Sequence, residues 1–150
     1  MSSHTARVTW SPAVQGAEPP PFTYETYSRD HRVAYGTGSS TALSAAPEYR
    51  GNPALPNPEE LLVAALSSCH MLTFLAIAVR KGLTVTSYVD DAVGTLAKDE
   101  SGVLCVTDVA LRPVVGFAAE VDGETLARLH ASAHRGCFIA NSVKTKVTVA

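Results

Sequence analysis

The chain has 150 residues, 46% apolar and 17% charged, with ten Gly and nine Pro; these proportions describe one globular domain over 1–150 and exclude bulk disorder and collagen-like structure. Twelve Lys and Arg against fourteen Asp and Glu leave a formal charge of −2, so no basic field exists to hold a phosphate backbone and nucleic acid is not an expected partner. Three cysteines, at 69, 105 and 137, are too few and too widely spaced for a secreted disulfide framework, and Met1–Arg7 lacks the apolar run of a secretory signal, which together point to a reducing cytoplasm.

Taken in chain order, Arg7–Trp10 alternates polar and apolar like an opening strand. The segment Phe22–Val33 is rich in Tyr, Thr and Val, so it reads as a second strand. Glu18-Pro19-Pro20-Pro21 between them cannot pair in a sheet, and the expectation is a β-hairpin with a long proline-stiffened loop. From Gly36 to Pro56, Gly, Ser, Ala and Pro dominate and predict an irregular surface segment.

Asn57-Pro58-Glu59-Glu60 opens the best-defined element: Asn suits the N-cap, Pro the first helical position and two acids the positive dipole end. The helix is expected to run to Lys81 and stop at Gly82. Its stretch Leu61–Val79 carries no formal charge and is long enough to be tested as a membrane span. Ser67, Ser68, Cys69, His70 and Thr73 would fall mid-span, where polar groups cost most in lipid, so a core helix is the preferred reading and no membrane is expected. Apolar residues surround most of the helix, which asks for more cover than a small domain supplies and predicts a homodimer.

Leu83–Thr95 and Val103–Val115 read as two strands joined through the polar turn Lys98–Gly102. Asp122 is placed to cap a second helix from Gly123 to about His134, ended by Gly136. Phe138–Val143 forms a short turn before a final outer strand at Lys144–Val149. The order two strands, helix, two strands, helix, strand defines an α+β fold.

Two cysteines have titratable neighbours: Cys69 precedes His70, and Cys137 follows His134-Arg135-Gly136. Such neighbours lower a thiol pKa and suit redox or nucleophilic work, while the plain alternative treats each as a small core hydrophobe. Cys105, in VLCVTDV, has no basic neighbour and reads as structural filler. No CxxC occurs, and His130 and His134 lack a metalloprotease acid, so no metal is expected. Met71, Leu72, Phe74 and Phe138 would give the cysteines an apolar mouth.

The segments NPEELLVAALSSC at 57–69 and AHRGCFIANSVKTKVTV at 133–149 resemble the OsmC/Ohr family of osmotically inducible and organic hydroperoxide resistance proteins. The resemblance implies an OsmC-like fold, strands around a long central helix in an intertwined homodimer. It also implies a thiol peroxidase that needs no cofactor, with an organic hydroperoxide as substrate and an external dithiol as reductant. By position Cys69 would be the peroxidatic residue and Cys137 the resolving one. Glu59 and an arginine, Arg50 in PEYRG or Arg29 in YSRDH, would hold the thiolate, with Arg50 preferred. Glu59 and Cys69 lie about 15 Å apart along one helix, so one thiolate can have both only if the acid comes from a partner helix. His70 stands where family members often carry an aromatic residue, which favours the alternative of a non-catalytic protein binding a hydrophobic ligand at the dimer interface.

Overall fold

The computed structural model describes residues 1–12 and 18–150; positions 13–17, part of the expected hairpin loop, lie outside the described residues. The chain divides into two compact units, Met1–Pro58 and Glu59–Ala150.

In the first unit, β1 (Ala6–Thr9), β2 (His31–Tyr35) and β3 (Ser40–Leu43) form an antiparallel sheet in the order β1-β2-β3. The expected hairpin is present, with Ala6 opposite Tyr35 and Thr9 opposite Arg32, but its second strand begins only at His31. Phe22–Tyr27 closes on itself instead, Thr26 and Tyr27 both donating their N–H to the Thr23 carbonyl. The aromatic rings Trp10, Phe22, Tyr24 and Tyr27 pack on one another. Side-chain hydroxyls at Thr23 and Thr26 bond locally and compete with a ladder. The segment 36–56 is less irregular than its composition predicts: β3 pairs with β2, and a 3-10 turn spans Pro47–Tyr49.

The second unit opens on α1 (Pro58–Arg80), with Pro58 at its start, Glu59 and Glu60 in the first turn and Arg80 in the last. Gly82 stops it as expected, at φ 72, while the Leu83 N–H returns to the Ala78 carbonyl at 3.0 Å. Next come β4 (Val85–Asp90), β5 (Val93–Lys98), β6 (Leu104–Leu111) and β7 (Pro113–Phe117). Each predicted strand is therefore two. β5 and β6 form the hairpin whose polar turn at Asp99–Gly102 was legible, whereas β4 and β7 pair in a separate two-stranded sheet. The break sits at Asp90 and Pro113: proline has no N–H for a ladder, and the Asp90 carboxylate accepts the Arg112 N–H at 2.6 Å.

α2 (Gly123–Gly136) is capped by Asp122, whose carboxylate accepts the Thr125 N–H at 2.8 Å. After a 3-10 turn at Ala140–Ser142, β8 (Lys146–Val149) joins β6 in parallel as an edge strand, exposed and half-buried residues alternating along it. Gly136 does not end α2 through a left-handed turn, since its φ is not positive. It is the last helical residue, and a Cβ there would stand 3.1 Å from Cγ2 of Thr73, so glycine is what lets α2 approach α1.

Leu66, His70, Phe74 and Ala78 are the buried residues of α1, one stripe at four-residue spacing. Leu66 packs on Val109 and Leu111 of β6, while Phe74 and Ala78 pack on Leu129 and Ala133 of α2. The stripe is narrower than the all-round burial the sequence asks for: Leu72 is 60% and Val79 73% exposed. By length and apolarity alone α1 could cross a membrane. Its mid-helix polar groups are instead bonded to protein, Ser67 to Asp90 and His70 to His130.

Phe74→Ala is expected to lower unfolding free energy in urea by about 3–5 kcal/mol, because the ring is fully buried between the helices. Val103→Ala, at an exposed position beside the β5–β6 turn, is expected to cost less than about 1 kcal/mol. Equal losses at both positions would contradict this placement of the core.

Candidate active site

Cys69 is carried by α1, one residue before the buried His70. One turn further, the Thr73 hydroxyl donates to the Cys69 carbonyl at 2.9 Å and also lies within reach of the sulfur. Cys137 follows directly on α2, and its N–H returns to the His134 carbonyl at 3.3 Å. The chain then tightens into the 3-10 turn: the Asn141 N–H reaches the Cys137 carbonyl at 3.1 Å, and the Ser142 hydroxyl donates to the Phe138 carbonyl at 2.7 Å. Ala140 N–H points at the Cys137 sulfur at 3.4 Å.

Folded in this way, the chain brings the N–H groups of Phe138 and Ile139 close to Cys69. Burial alone would raise the Cys69 pKa, but the nearby Ile139 N–H, Cys137 thiol, Phe138 N–H and Thr73 hydroxyl favour the thiolate, and the net direction is down. Cys137 moves the other way: burial raises it, and so do its own hydrogen bond to Cys69 and the neighbouring charge, against a smaller pull from Ala140 N–H. The two sulfurs are thus shifted in opposite directions, Cys69 toward the thiolate and Cys137 toward the thiol. Both are free thiols, and Cys137 is buried.

A cavity of about 700 Å³ opens on Cys69, with Leu72, Ile77, Phe138 and Ile139 among its apolar walls and Arg80 as a charged one. Two of the four residues expected at the mouth are therefore there. Phe74 faces the α1–α2 core instead, and Met71 is not in the wall.

The remaining predicted residues lie elsewhere along the chain. Cys105 lies half-buried on β6 opposite Ala97. Glu59 is in the first turn of α1, half-buried, about 15 Å along the axis from Cys69, so the structure does not bring these two together. In the first unit, Arg29 is 9% exposed and donates to the carbonyls of Tyr27 and Tyr24 at 2.6 Å each, its guanidinium 3.7 Å from the Tyr27 ring centre. Arg50 sits exposed in a left-handed turn at φ 63, with its guanidinium 5.8 Å from the Tyr24 ring centre.

His70, beside Cys69 in sequence, is a buried residue of α1. Its Nε2 bonds Nδ1 of His130 at 3.1 Å, the two rings stacked at 5.4 Å and 10°. Burial first, then the neighbouring His130 and His134, push its pKa down to about 4 against a small opposing pull from Asp90. Among the described residues no three His, Cys, Asp or Glu side chains are grouped as a metal site requires.

Fold and site together describe an α+β protein with two neighbouring cysteines where α1 meets the end of α2. A family model for OsmC-like protein matches residues 51–150, and the chain belongs to that family. An OsmC-like protein of unknown function from Vibrio cholerae is 43% identical, with a TM-score of 0.91 over 100% of this chain and 99% of that one. Two organic hydroperoxide resistance proteins share the fold at lower identity. The one from Legionella pneumophila is 17% identical at a TM-score of 0.72, over 99% of this chain and 94% of that one. The one from Elizabethkingia anophelis is 18% identical at 0.73, over 99% and 93%. None of the curated proteins compared matches the sequence.

The opposite shifts of the two thiols predict their order of reaction. With iodoacetamide at neutral pH, Cys69 is expected to alkylate before Cys137, because only the thiolate is nucleophilic and Cys69 holds it at lower pH. Peptide mass spectrometry over time reads the order, and faster labelling of Cys137 would overturn the assignment.

Proposed function

We propose that the protein is a cysteine peroxidase that reduces organic hydroperoxides to alcohols. The observation that carries this reading is that Cys69 and Cys137 are close enough to act on each other, with the first thiol's pKa lowered and the second's raised. The Cys69 thiolate attacks the terminal, hydrogen-bearing oxygen of the hydroperoxide, the O–O bond breaks, and the departing alkoxide takes up a proton to leave as alcohol. Cys69 is then a sulfenic acid. Cys137 attacks its sulfur, water departs with the Cys137 proton, and a disulfide forms before further oxidation. An external dithiol reduces the disulfide by exchange, taking the two electrons' worth of oxidation onto itself.

Other features support parts of this reading. The apolar cavity wall at Leu72, Ile77 and Phe138 suits an alkyl substrate better than hydrogen peroxide. Family membership and the hydroperoxide resistance proteins among the structural relatives agree with it at the level of class. Glu59, with Arg50 or Arg29, enters as a holder of the thiolate on the family resemblance alone. A hydrolase using Cys69 and His70 fits less well, because the His70 ring is bonded to His130. A non-catalytic binder of a hydrophobic ligand would use the same cavity, but it would have no need of a lowered thiol. We place the protein in a reducing cytoplasm, where its dithiol would be regenerated.

The proposal includes a homodimer, since the exposed Leu72 and Val79 leave an apolar face of α1 without cover from its own chain. Sedimentation at micromolar concentration is expected to give two chains per particle. A well-folded monomer there would refute it.

Cys69→Ser is expected to abolish consumption of cumene hydroperoxide, and Cys105→Ala to leave it intact. Cys137→Ser should still react once per chain but gain oxygen atoms in the mass spectrum, because its sulfenic acid has no second thiol. Full activity in Cys69→Ser would sink the peroxidase reading.

A further inference from the structure

Three of the four groups that lower the Cys69 pKa, Cys137, Phe138 and Ile139, lie just beyond the end of α2, so something must fix where α2 lies on α1. Most of the helix crossing is apolar and small: Phe74 and Ala78 against Leu129 and Ala133, with Gly136 close to Thr73. Apolar contact is non-directional and tolerates small slips. Within it lies one directional link, the 3.1 Å bond from Nε2 of His70 to Nδ1 of His130. His70 is the residue next to Cys69. His130 precedes Cys137 by seven residues, about 10 Å or two turns along α2.

The surroundings hold this pair in a single arrangement. His70 is 1% exposed and the Phe74 ring lies 4.5 Å from that of His130, which limits rotation of either imidazole. The groups that face the pair are His134 on α2 and Asp90 on β4, and the Asp90 carboxylate is tied down by Ser67 and by the Arg112 N–H. Tyr88, also near Asp90, is held protonated by burial and by that charge. Burial, the first cause in each case, keeps both imidazoles neutral at pH 7. A neutral pair has one N–H donor and one bare nitrogen acceptor, which is what a single bond between the rings needs. Among the described residues Nδ1 of His70 is buried with no partner, so the bond to His130 is the only one its ring makes.

We infer that His70 and His130 are positioning residues for the reactive thiol: their hydrogen bond fixes α2 on α1 and thereby holds the N–H groups of Phe138 and Ile139 on the Cys69 sulfur. Hydrogen bonds to an anion weaken steeply as distance and angle degrade, so a slip at the crossing raises the Cys69 pKa even where the fold survives. The inference rests on the functional reading only in taking Cys69 as the reactive thiol, and its test uses no peroxide.

The measurement is the rate of iodoacetamide alkylation at Cys69 against pH, read on the Cys69 peptide of the full chain, with melting temperature recorded alongside. His130→Phe keeps a ring against Phe74 and removes the bond, whereas His130→Gln retains a donor and an acceptor. His130→Phe is expected to move the midpoint up and cut the neutral-pH rate about tenfold, while His130→Gln stays within about twofold of the parent. Superposable profiles for all three proteins, whatever their melting temperatures, would overturn the inference, and so would equal shifts in both variants. Should His130→Phe fail to fold, the double variant His70→Phe/His130→Phe replaces the buried polar pair with two rings. It is expected to show the same upward midpoint, and a parental profile in it would be equally fatal. Loss of peroxide turnover in a protein whose Cys69 midpoint is still low would count against the peroxidase alone and leave this inference standing.

Discussion

The crossing of α1 and α2 is the constraint on which the candidate site depends. Phe74, Ala78, Leu129 and Ala133 are all essentially inaccessible to solvent there, and at Gly136 a Cβ would stand in tight contact, 3.1 Å, with the Thr73 methyl. Because α2 is held at that distance, the chain beyond it can deliver Cys137, Phe138 and Ile139 to the sulfur of a residue 68 positions earlier. The asymmetry of the two thiols follows from this placement. Desolvation acts on both and raises both, but at Cys69 the neighbouring N–H and hydroxyl groups outweigh that cost, while at Cys137 the contact with Cys69 adds to it.

Hydrogen-bond satisfaction also accounts for an unusual helix. An apolar helix with Ser67, His70 and Thr73 in its middle looks inconsistent as a core element, since unpaired buried polar groups are costly. Each of the three has a specific acceptor or donor: Asp90 for Ser67, His130 for His70 and a backbone carbonyl for Thr73. Asp90 does further work by accepting the Arg112 N–H at the place where two predicted strands break into four. The same carboxylate thus marks a sheet boundary and anchors the middle of α1.

What could be read from the sequence was what local chemistry decides. The start of α1 at Pro58, its stop at Gly82, the Asp122 cap and the Asp99–Gly102 turn all follow from residues within a few positions of each feature. β3 was not legible, because Ser40-Thr41-Ala42-Leu43 has little β-propensity and is a strand through pairing with β2. Phe22–Tyr27 misled in the opposite sense, its aromatic residues packing on each other rather than along a sheet. Gly136 was marked correctly as special but for the wrong reason, a turn rather than a close approach. For the site, Cys69 and Cys137 were legible through their family motifs, and their juxtaposition agrees with that reading. The His70–His130 bond spans 60 residues and has no local signature, so nothing near His70 in sequence points to its partner.

The most direct test of the central claim, that Cys69 and Cys137 act as one redox couple, is a thiol count. Fully reduced protein is mixed with one equivalent of cumene hydroperoxide, free thiols are titrated, and the product is mapped by peptide mass spectrometry. The account predicts that the count falls from three cysteines to one, the survivor being Cys105, with a single disulfide joining Cys69 to Cys137. Oxygen added at Cys69 with the Cys137 thiol still free, or three thiols untouched, would contradict it.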